Sequence, residues 1–435
     1  MIFGIIKFVR FLYSLQRVFN KKTTQNTNYL IKNTKMCGPL AIKLLQYILM
    51  NHNFKDPSLD FVFEENNVHS LNETMKMYRD EFGVSLSDDM ANIQIIASGS
   101  IGQVYRAYCR KRRHYVAIKV KHPDANREIY RFTKIVKFVC WITRPFNRFC
   151  ILILEYINTL ESQLDYILEA ANTTQLHLNW RDNDLIIIPE VFSSSNNFIT
   201  TSYHEGINYN KLTVEHQQLS GLYMNLFVLQ CLLIDDFLHS DLHTGNWKVK
   251  IDNGKLKIII YDCGLICKTG STNYNKEIVE HLLSGNYRDL VYTVAGKSKK
   301  SILCSNFIKD NLPDTAAERT RFFINTVLQW GIITDTRFIS VLTAFGIIGE
   351  ICGIATNVFT NYVSDNNLYQ VMIYIYIHLL KKSDSFVKLR IFFEEWMDSS
   401  PENIQNYNKL LFERFGHTKG YILHDIIFSK FKIAS

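Results

Sequence analysis

The sequence predicts an α+β chain in two lobes: a small lobe on an antiparallel sheet with a helical N-terminal extension, and a larger, mostly α-helical lobe. Three observations predict it. Alternating strand patterns cluster between residues 94 and 120 around a small-residue turn. Helical periodicity fills 275–435, for example at 276–285, 317–330 and 386–397. Glycine and proline, 19 and 7 of 435 residues, fall below ordinary usage, which favours helices over sharp turns. The chain divides into 1–35, a basic amphipathic segment and linker; 36–90, a helical extension; 91–203, the small lobe; and 204–435, the helical lobe.

Hydrophobic residues at 47% and charged residues at 21% exclude wholesale disorder and fibrous architectures. The net charge of +8 suits phosphate ligands or an anionic membrane and is too small by itself to indicate nucleic acid. The nine cysteines are scattered, and no cleavable signal precedes them, so they read as reduced thiols of an intracellular compartment. Cys263 and Cys267 are four apart but lack the second pair a zinc site needs.

Residues 1–22 place Lys7, Arg10, Ser14, Arg17 and Lys21 at spacings of three and four, one polar stripe of a helix. Ile2, Ile5, Ile6, Phe8, Val9, Leu12 and Phe19 fill the remaining face. Peripheral contact with an anionic membrane surface is the favoured reading. A helix packed on its own domain and an organelle presequence are the alternatives. Residues 340–359 are apolar apart from Glu350 and read as a buried helix in preference to a membrane span, since a central carboxylate would be costly in lipid.

Four segments carry chemistry. Ile95 to Ala107 reads strand–turn–strand, and Ala97, Ser98, Gly99, Ser100 and Gly102 are small enough for backbone N–H groups to approach a phosphate. Tyr115 to Val120 alternates as a strand carrying Lys119, the arrangement that holds α/β-phosphates in kinases. In Phe237 to Asn246, Asp241 is followed five residues later by Asn246, as in a kinase catalytic loop. There Asp241 can orient or deprotonate a hydroxyl, and the Asn246 carbonyl can ligate Mg²⁺. Ile258 to Gly264 is a β-branched strand ending in Asp262-Cys263-Gly264, which supplies a second hard oxygen ligand.

These segments resemble the UbiB/aarF-domain (ADCK-type) atypical kinases, a family associated with coenzyme Q and lipid metabolism. The resemblance runs from about Gly38 to Gly264. The family's H-x-D-x-H-x-G-N signature stands as His239, Asp241, His243, Gly245 and Asn246. Its alanine-rich loop and S-I-x-Q-V motif fall on Ala97 to Val104, including Gln103. The lysine of its V-A-V-K motif falls on Lys119. Its K-x-G-Q helix falls on Lys43 to Gln46, and its L-D-[FY]-x-x-E-A-x-N helix on Leu164 to Asn172. The resemblance implies a bilobal protein-kinase-like fold, ATP and Mg²⁺ as cofactors, Lys43 and Gln46 over the nucleotide, and Glu169 paired with Lys119. It also implies a small lipid- or quinone-like acceptor, or ATP hydrolysis. Departures are Leu45 for the glycine of K-x-G-Q, Gln163 for the glutamate of E-x-D, Gly99 for an alanine, and Thr201-Ser202 near the family's Met-Glu hinge. No long activation segment or Ala-Pro-Glu follows Gly264, which leaves little room for a peptide groove.

Three rivals stand beside this reading. His239-x-Asp241-x-His243 could hold zinc in a metallohydrolase, but that leaves Lys119, Asn246 and Asp262 unexplained. Arg110 to His114 could bind nucleic acid, but it lies between two strand patterns with no aromatic platform and reads as a solvated turn, so no nucleic-acid partner is expected. A catalytically weak, membrane-associated pseudokinase scaffold would keep the fold without the turnover.

Overall fold

A computed structural model describes residues 2–38, 40–42, 44–45, 48, 68–99, 101–123, 125–143, 153–154, 157, 161–283, 286–313 and 386–398, with isolated positions between 319 and 341. Two compact units emerge. Unit 1 comprises 1–174, 189–203 and 263–265; unit 2 comprises 175–188, 204–262 and 266–435.

Unit 1 is built on a five-stranded sheet of order β1-β2-β3-β6-β5, antiparallel throughout. Its strands are β1 (Met90–Ser98), β2 (Gly102–Cys109), β3 (His114–Lys121), β5 (Val191–Ser194) and β6 (Phe198–Ser202). Gln103, Tyr105, Ala107 and Cys109 alternate into one face with Val116, Ile118 and Val120, as a half-buried sheet requires. That face packs on the helices α3 (Leu71–Phe82) and α4 (Leu86–Asp89) through Tyr78 and Leu86. A capping box, in which Ser70 and Glu73 exchange hydrogen bonds, starts α3, and Gly83 at φ 73 ends it. The basic run Arg110–Arg113 is the β2–β3 turn, with Arg113 at φ 58 and Arg112 stacked 3.8 Å from the Phe192 ring. The opposite face of the sheet receives Tyr166 and Ala170 of α6 (Tyr166–Trp180), which pack on Ile199.

The N-terminal helix α1 (Ile2–Asn20) is part of unit 1. It buries Phe8, Phe11, Leu12, Leu15 and Val18 with residues of α2 (Thr24–Cys37) and α5 (Ala125–Thr143). Ser14, expected on the polar stripe, is buried and donates its hydroxyl to the Phe11 carbonyl at 2.7 Å. Ile2, Phe3, Ile6 and Val9 stay exposed. The apolar residues of α1 are therefore divided between a docked face and an outward one. Leu45 lies fully buried in the same core, which accounts for an apolar residue there.

Unit 2 is organised around α7 (Val214–Leu233), whose Leu219, Met224, Phe227, Leu229 and Leu232 are all buried. Such a helix is apolar on nearly every side because it is packed on every side. Trp180 meets the rings of Phe227 and Phe386, the latter at the start of α11 (Val387–Asp398). A three-stranded sheet of order β4-β9-β8 joins β4 (Ile186–Ile187), β8 (Trp247–Asp252) and β9 (Lys255–Ile260). Asn253 and Gly254, at φ 50 and 77, make the two-residue hairpin between β8 and β9. A second pair joins β7 (Leu238–His239) to β10 (Ile266–Cys267). The helices α8 (Thr272–Leu283), α9 (Tyr287–Ala295) and α10 (Lys299–Asp310) follow.

The expected α+β class, with its antiparallel first sheet and helix-rich second part, is the one observed. Expected helices at 276–285 and 386–397 overlap α8 and α11, while half of 317–330 and all of 340–359 except Val341 lie outside the described residues. No described helix is long and apolar enough to cross a membrane. All seven described cysteines are free thiols.

Docking of α1 predicts unequal costs on its two faces. Phe11→Ala should destabilise unit 1 by about 3–5 kcal/mol, and exposed Phe3→Ala by no more than about 0.5 kcal/mol. Thermal unfolding read by proteolysis of unit 1 checks this, and equal midpoints for the two variants would disprove the docking.

Candidate functional site

In unit 1 the sheet register sets the geometry. Ala97 faces Val104, Val104 faces Lys119, and Lys119 faces Ile199, so loop and lysine share one row across four strands. Lys119 points to the α6 face, where its Nζ meets both carboxylate oxygens of Glu169 at 2.7 and 2.8 Å. The Glu169 side chain is 6% exposed and that of Lys119 23%. Tyr166 lies one turn before Glu169, with its ring centroid 5.2 Å from the Lys119 ammonium and 4.8 Å from that of Lys121. Lys121 Nζ donates to the Leu164 carbonyl at 2.7 Å. Burial pulls the Lys121 ammonium below the ordinary lysine range, opposed by Asp165, Glu81 and Glu169. Asp165 accepts from the Leu168 N–H at 2.9 Å and so caps α6; this role needs one carboxylate and does not involve Gln163. Within the same unit, Asn172 Nδ2 donates to the Cys263 carbonyl at 3.2 Å.

The loop between β1 and β2 closes through a Gly99 N–H to Gly102 carbonyl bond of 2.9 Å. A Cβ on Gly102 would strike the Val120 carbonyl and come 2.5 Å from the Tyr166 hydroxyl, so the close approach of strand and helix requires glycine there. Ala97 is exposed, and Ser98 and Gly99 are half-buried. Gln103 is fully buried: its Oε1 accepts from the His69 N–H at 3.1 Å, and its Nε2 donates to the His69 carbonyl at 3.1 Å and to the Tyr105 hydroxyl. Ser100, Lys43 and Gln46 lie outside the described residues.

In unit 2 the segment after β7 turns on a histidine. His239 is buried, with its Nδ1 accepting from the Asp241 N–H and its Nε2 facing the Tyr261 carbonyl, each at 3.2 Å. A carbonyl only accepts, so Nε2 carries the hydrogen and the ring is neutral. Burial holds its pKa below the ordinary imidazole value, with Asp241 opposing. Both ring nitrogens are thus engaged in positioning backbone. Neither nitrogen is then available to a zinc ion, and among the described residues no group of three His, Cys, Asp or Glu is arranged to hold a metal ion.

Asn246 Nδ2 donates to the Asp241 carbonyl at 2.8 Å and to its Oδ2 at 3.1 Å, so the Asn246 Oδ1 is the atom directed elsewhere. Asp262 is exposed and adopts φ 52, a left-handed conformation that a short polar side chain tolerates and that recurs at functional turns. An amide oxygen and an exposed carboxylate are hard donors, and Mg²⁺ takes few protein ligands beside substrate phosphate, so this pair fits Mg²⁺ chemically. His243 Nδ1 accepts from the Gly245 N–H at 3.0 Å, and its Nε2 lies 3.7 Å from Asp241 Oδ2. Just upstream, Asp236 accepts hydrogen bonds from the Thr269 and Gly270 N–H groups, the Thr269 hydroxyl and Asn275, anchoring the entry to β7.

The candidate residues Ala97 to Gln103, Lys119 and Glu169 thus belong to unit 1, and His239 to Asn246 and Asp262 to unit 2. Residues 64–293, more than half of the chain, match the ABC1 atypical kinase-like domain, and the chain belongs to that family. It is 30% identical over 213 residues to a probable protein kinase UbiB of Photobacterium profundum, covering 45% of this chain and 38% of that relative. To the probable protein kinase UbiB of an Enterobacter species it is 27% identical over 259 residues, covering 55% and 45%. The chain thus spans less than half the length of these curated relatives. Among solved structures, the Mycobacterium tuberculosis Rv3197–erythromycin complex aligns at a TM-score of 0.46 and 17% identity, over 77% of this chain and 97% of that one.

His69, Thr74, Tyr105, His122 and Lys121 surround the candidate residues of unit 1 and carry no local motif. Their partners lie as far as 53 positions away in sequence.

Asp235, beside Asp236, predicts a pH effect. Burial raises its carboxyl to about 6, opposed by Lys388. A folded value above the unfolded one near 4 stabilises unit 2 fully at low pH, and the gain is lost as pH rises through 6. Asp235→Asn should therefore raise stability at pH 8 by about 1–2 kcal/mol after allowance for solvent screening, and scarcely at pH 4. Melting temperatures at the two values check it; an equal shift at both would contradict the assignment.

Proposed function

We propose that this chain binds ATP with Mg²⁺ and performs phosphoryl chemistry on a small lipid- or quinone-like acceptor, or on water. The observation that supports it most is the two-oxygen Lys119–Glu169 pair, the ion pair on which kinase phosphate binding depends. In this reading Lys119 holds the phosphates and Glu169 aims it. Ala97, Ser98, Gly99, Ser100 and Gly102 cover the phosphates with backbone N–H groups, while Gln103 braces that loop from inside. Lys43 and Gln46 belong to the nucleotide set through the family motif. Asn246 and Asp262 hold Mg²⁺, which when bound neutralises charge on the β- and γ-phosphate oxygens. Asp241, fixed by Asn246 and by the His239 ring, orients the attacking hydroxyl or water and accepts its proton.

The chain from Gly264 to the start of α8 at Thr272 is short, which supports a small acceptor over a peptide. The outward Ile2, Phe3, Ile6 and Val9 of α1, beside Lys7 and Arg10, support peripheral contact with an anionic membrane surface. The second reading, a scaffold that binds without turnover, draws on the buried Leu45, where the family carries glycine.

The test is a thermal shift with Mg²⁺ and ATP or ADP, run beside Asp262→Asn. At about 100 times its Kd, a ligand of the folded state adds about 2.7 kcal/mol. A Mg²⁺-dependent upshift, with turnover, both lost in Asp262→Asn, is expected. An upshift without turnover in wild type would favour the scaffold, and undiminished turnover by Asp262→Asn would remove the metal assignment.

A further inference from the structure

The loop proposed to cover phosphates is held from behind by two histidines. His122, the residue after β3, donates its backbone N–H to the Ile101 carbonyl at 2.8 Å and sets its Nε2 2.9 Å from the Gly99 carbonyl. Its Nδ1 lies 2.7 Å from Nδ1 of His69, and the rings are nearly perpendicular at 85°. His69 Nε2 lies 2.8 Å from the Thr74 hydroxyl, which lies 2.7 Å from the Tyr105 hydroxyl, which in turn receives Gln103 Nε2. His69, Thr74, Gln103 and Tyr105 are all buried.

One hydrogen arrangement satisfies this chain. The Gly99 carbonyl can only accept, so His122 Nε2 carries a hydrogen and, in a neutral ring, Nδ1 accepts. His69 Nδ1 then donates, and its Nε2 accepts from Thr74. Thr74 accepts from Tyr105, and Tyr105 accepts from Gln103. An added proton has no place in this order. The two facing Nδ1 atoms cannot both carry hydrogens at 2.7 Å. Any triply protonated arrangement of the pair that keeps the Gly99 bond therefore puts a hydrogen on His69 Nε2. Thr74 then accepts from both His69 Nε2 and Tyr105, and its own hydroxyl hydrogen is left without a partner in this order. The cost falls on the buried Thr74 hydroxyl, within the hydrogen-bonded order that holds Gln103 at the foot of the loop, so a gained proton disfavours that order.

Resting on the nucleotide reading above, we propose that His69 and His122 are positioning residues: as a neutral pair they hold residues 97–103 in the phosphate-binding turn, and a gained proton releases it, so that nucleotide affinity falls on acidification. The surroundings agree. Burial and the neighbouring His122 hold His69 below its ordinary value near 6.5, and Glu73 of α3 opposes weakly. The Glu73 carboxylate is itself held by the Ser70 N–H and hydroxyl; Tyr105 faces the pair from β2, and Lys121 next in the chain turns its ammonium to Leu164. With the ordered state favouring the neutral ring, the order is complete above pH about 6.5 and lost as pH falls below it.

The test uses the full chain and MgADP, with calorimetric Kd at pH 7.5 and 5.5 for wild type, His122→Gln and His122→Phe. Glutamine can keep a donor for the Gly99 carbonyl without a titrating ring, whereas phenylalanine keeps neither. One linked proton weakens binding by up to tenfold per pH unit below the transition. Wild type should lose about tenfold over this range beyond the change seen in His122→Gln, which isolates the histidines from titration of the nucleotide's own phosphates. His122→Gln should stay within about threefold of wild type at pH 7.5, and His122→Phe should be about tenfold weaker there. The same pH dependence in wild type and His122→Gln overturns the proposal. Absence of MgADP binding by wild type at both pH values overturns the nucleotide reading instead. Hydrogen-exchange protection of the Gly99 and His122 amides then decides the latch. It stands if protection drops at pH 5.5 in wild type and not in His122→Gln, and falls otherwise.

Discussion

Lys119 and Glu169 form an ion pair withdrawn largely from water, and such a pair is costly unless the remaining polar atoms are satisfied and the geometry is tight. Unit 1 meets these conditions from two directions. The sheet fixes the height of Lys119 through its pairing with Val104 and Ile199. The helix α6, capped at Asp165, fixes Glu169 one turn in and lays the Tyr166 ring beside the lysine. Gly102 is the consequence: strand and helix approach so closely that no side chain fits between them. A pair whose members cost several kcal/mol if separated is weak support for stability and good support for a retained chemical task.

The candidate side chains were legible because each lies in a short local pattern. Lys119 alternates with Val116, Ile118 and Val120 on a strand, and Asp241, Asn246 and Asp262 sit at loop ends after apolar runs. What held them in place was not legible. His69, Thr74 and Tyr105 meet Gln103 and His122 across two strands and a helix, and tertiary hydrogen bonds between distant segments leave no periodicity. The structural role of His239 was hidden for a related reason. Its alternation with Asp241 and His243 suggests three ligands facing one way, but the segment leaves strand geometry after His239 and turns the ring inward onto backbone.

The fold was legible where periodicity and turn chemistry agree. The β2 and β3 strands follow directly from alternation, and the Asn253-Gly254 hairpin could have been read from its dipeptide. In α1 the limit was physical. A basic amphipathic helix has the same wheel whether its apolar side meets lipid or protein, and here Phe8, Phe11, Leu12, Leu15 and Val18 meet protein. Ser14 shows how a polar residue enters such a face, since its hydroxyl is satisfied by the helix's own carbonyl.

The loop bearing Gly99 and the segment bearing Asp241 are each fixed by an imidazole. His122 holds the Gly99 carbonyl, and His239 holds the Asp241 N–H and the Tyr261 carbonyl. A neutral imidazole offers one donor and one acceptor on opposite sides of a rigid ring, so it can bridge two groups without adding charge. The same choice makes the loops sensitive to protons, since an imidazole that gains one loses its acceptor. At His239 deep burial works against that change, whereas half-buried His122 stays within reach of solvent. In the latch proposed above, the loop bearing Gly99 is the one that acidification moves.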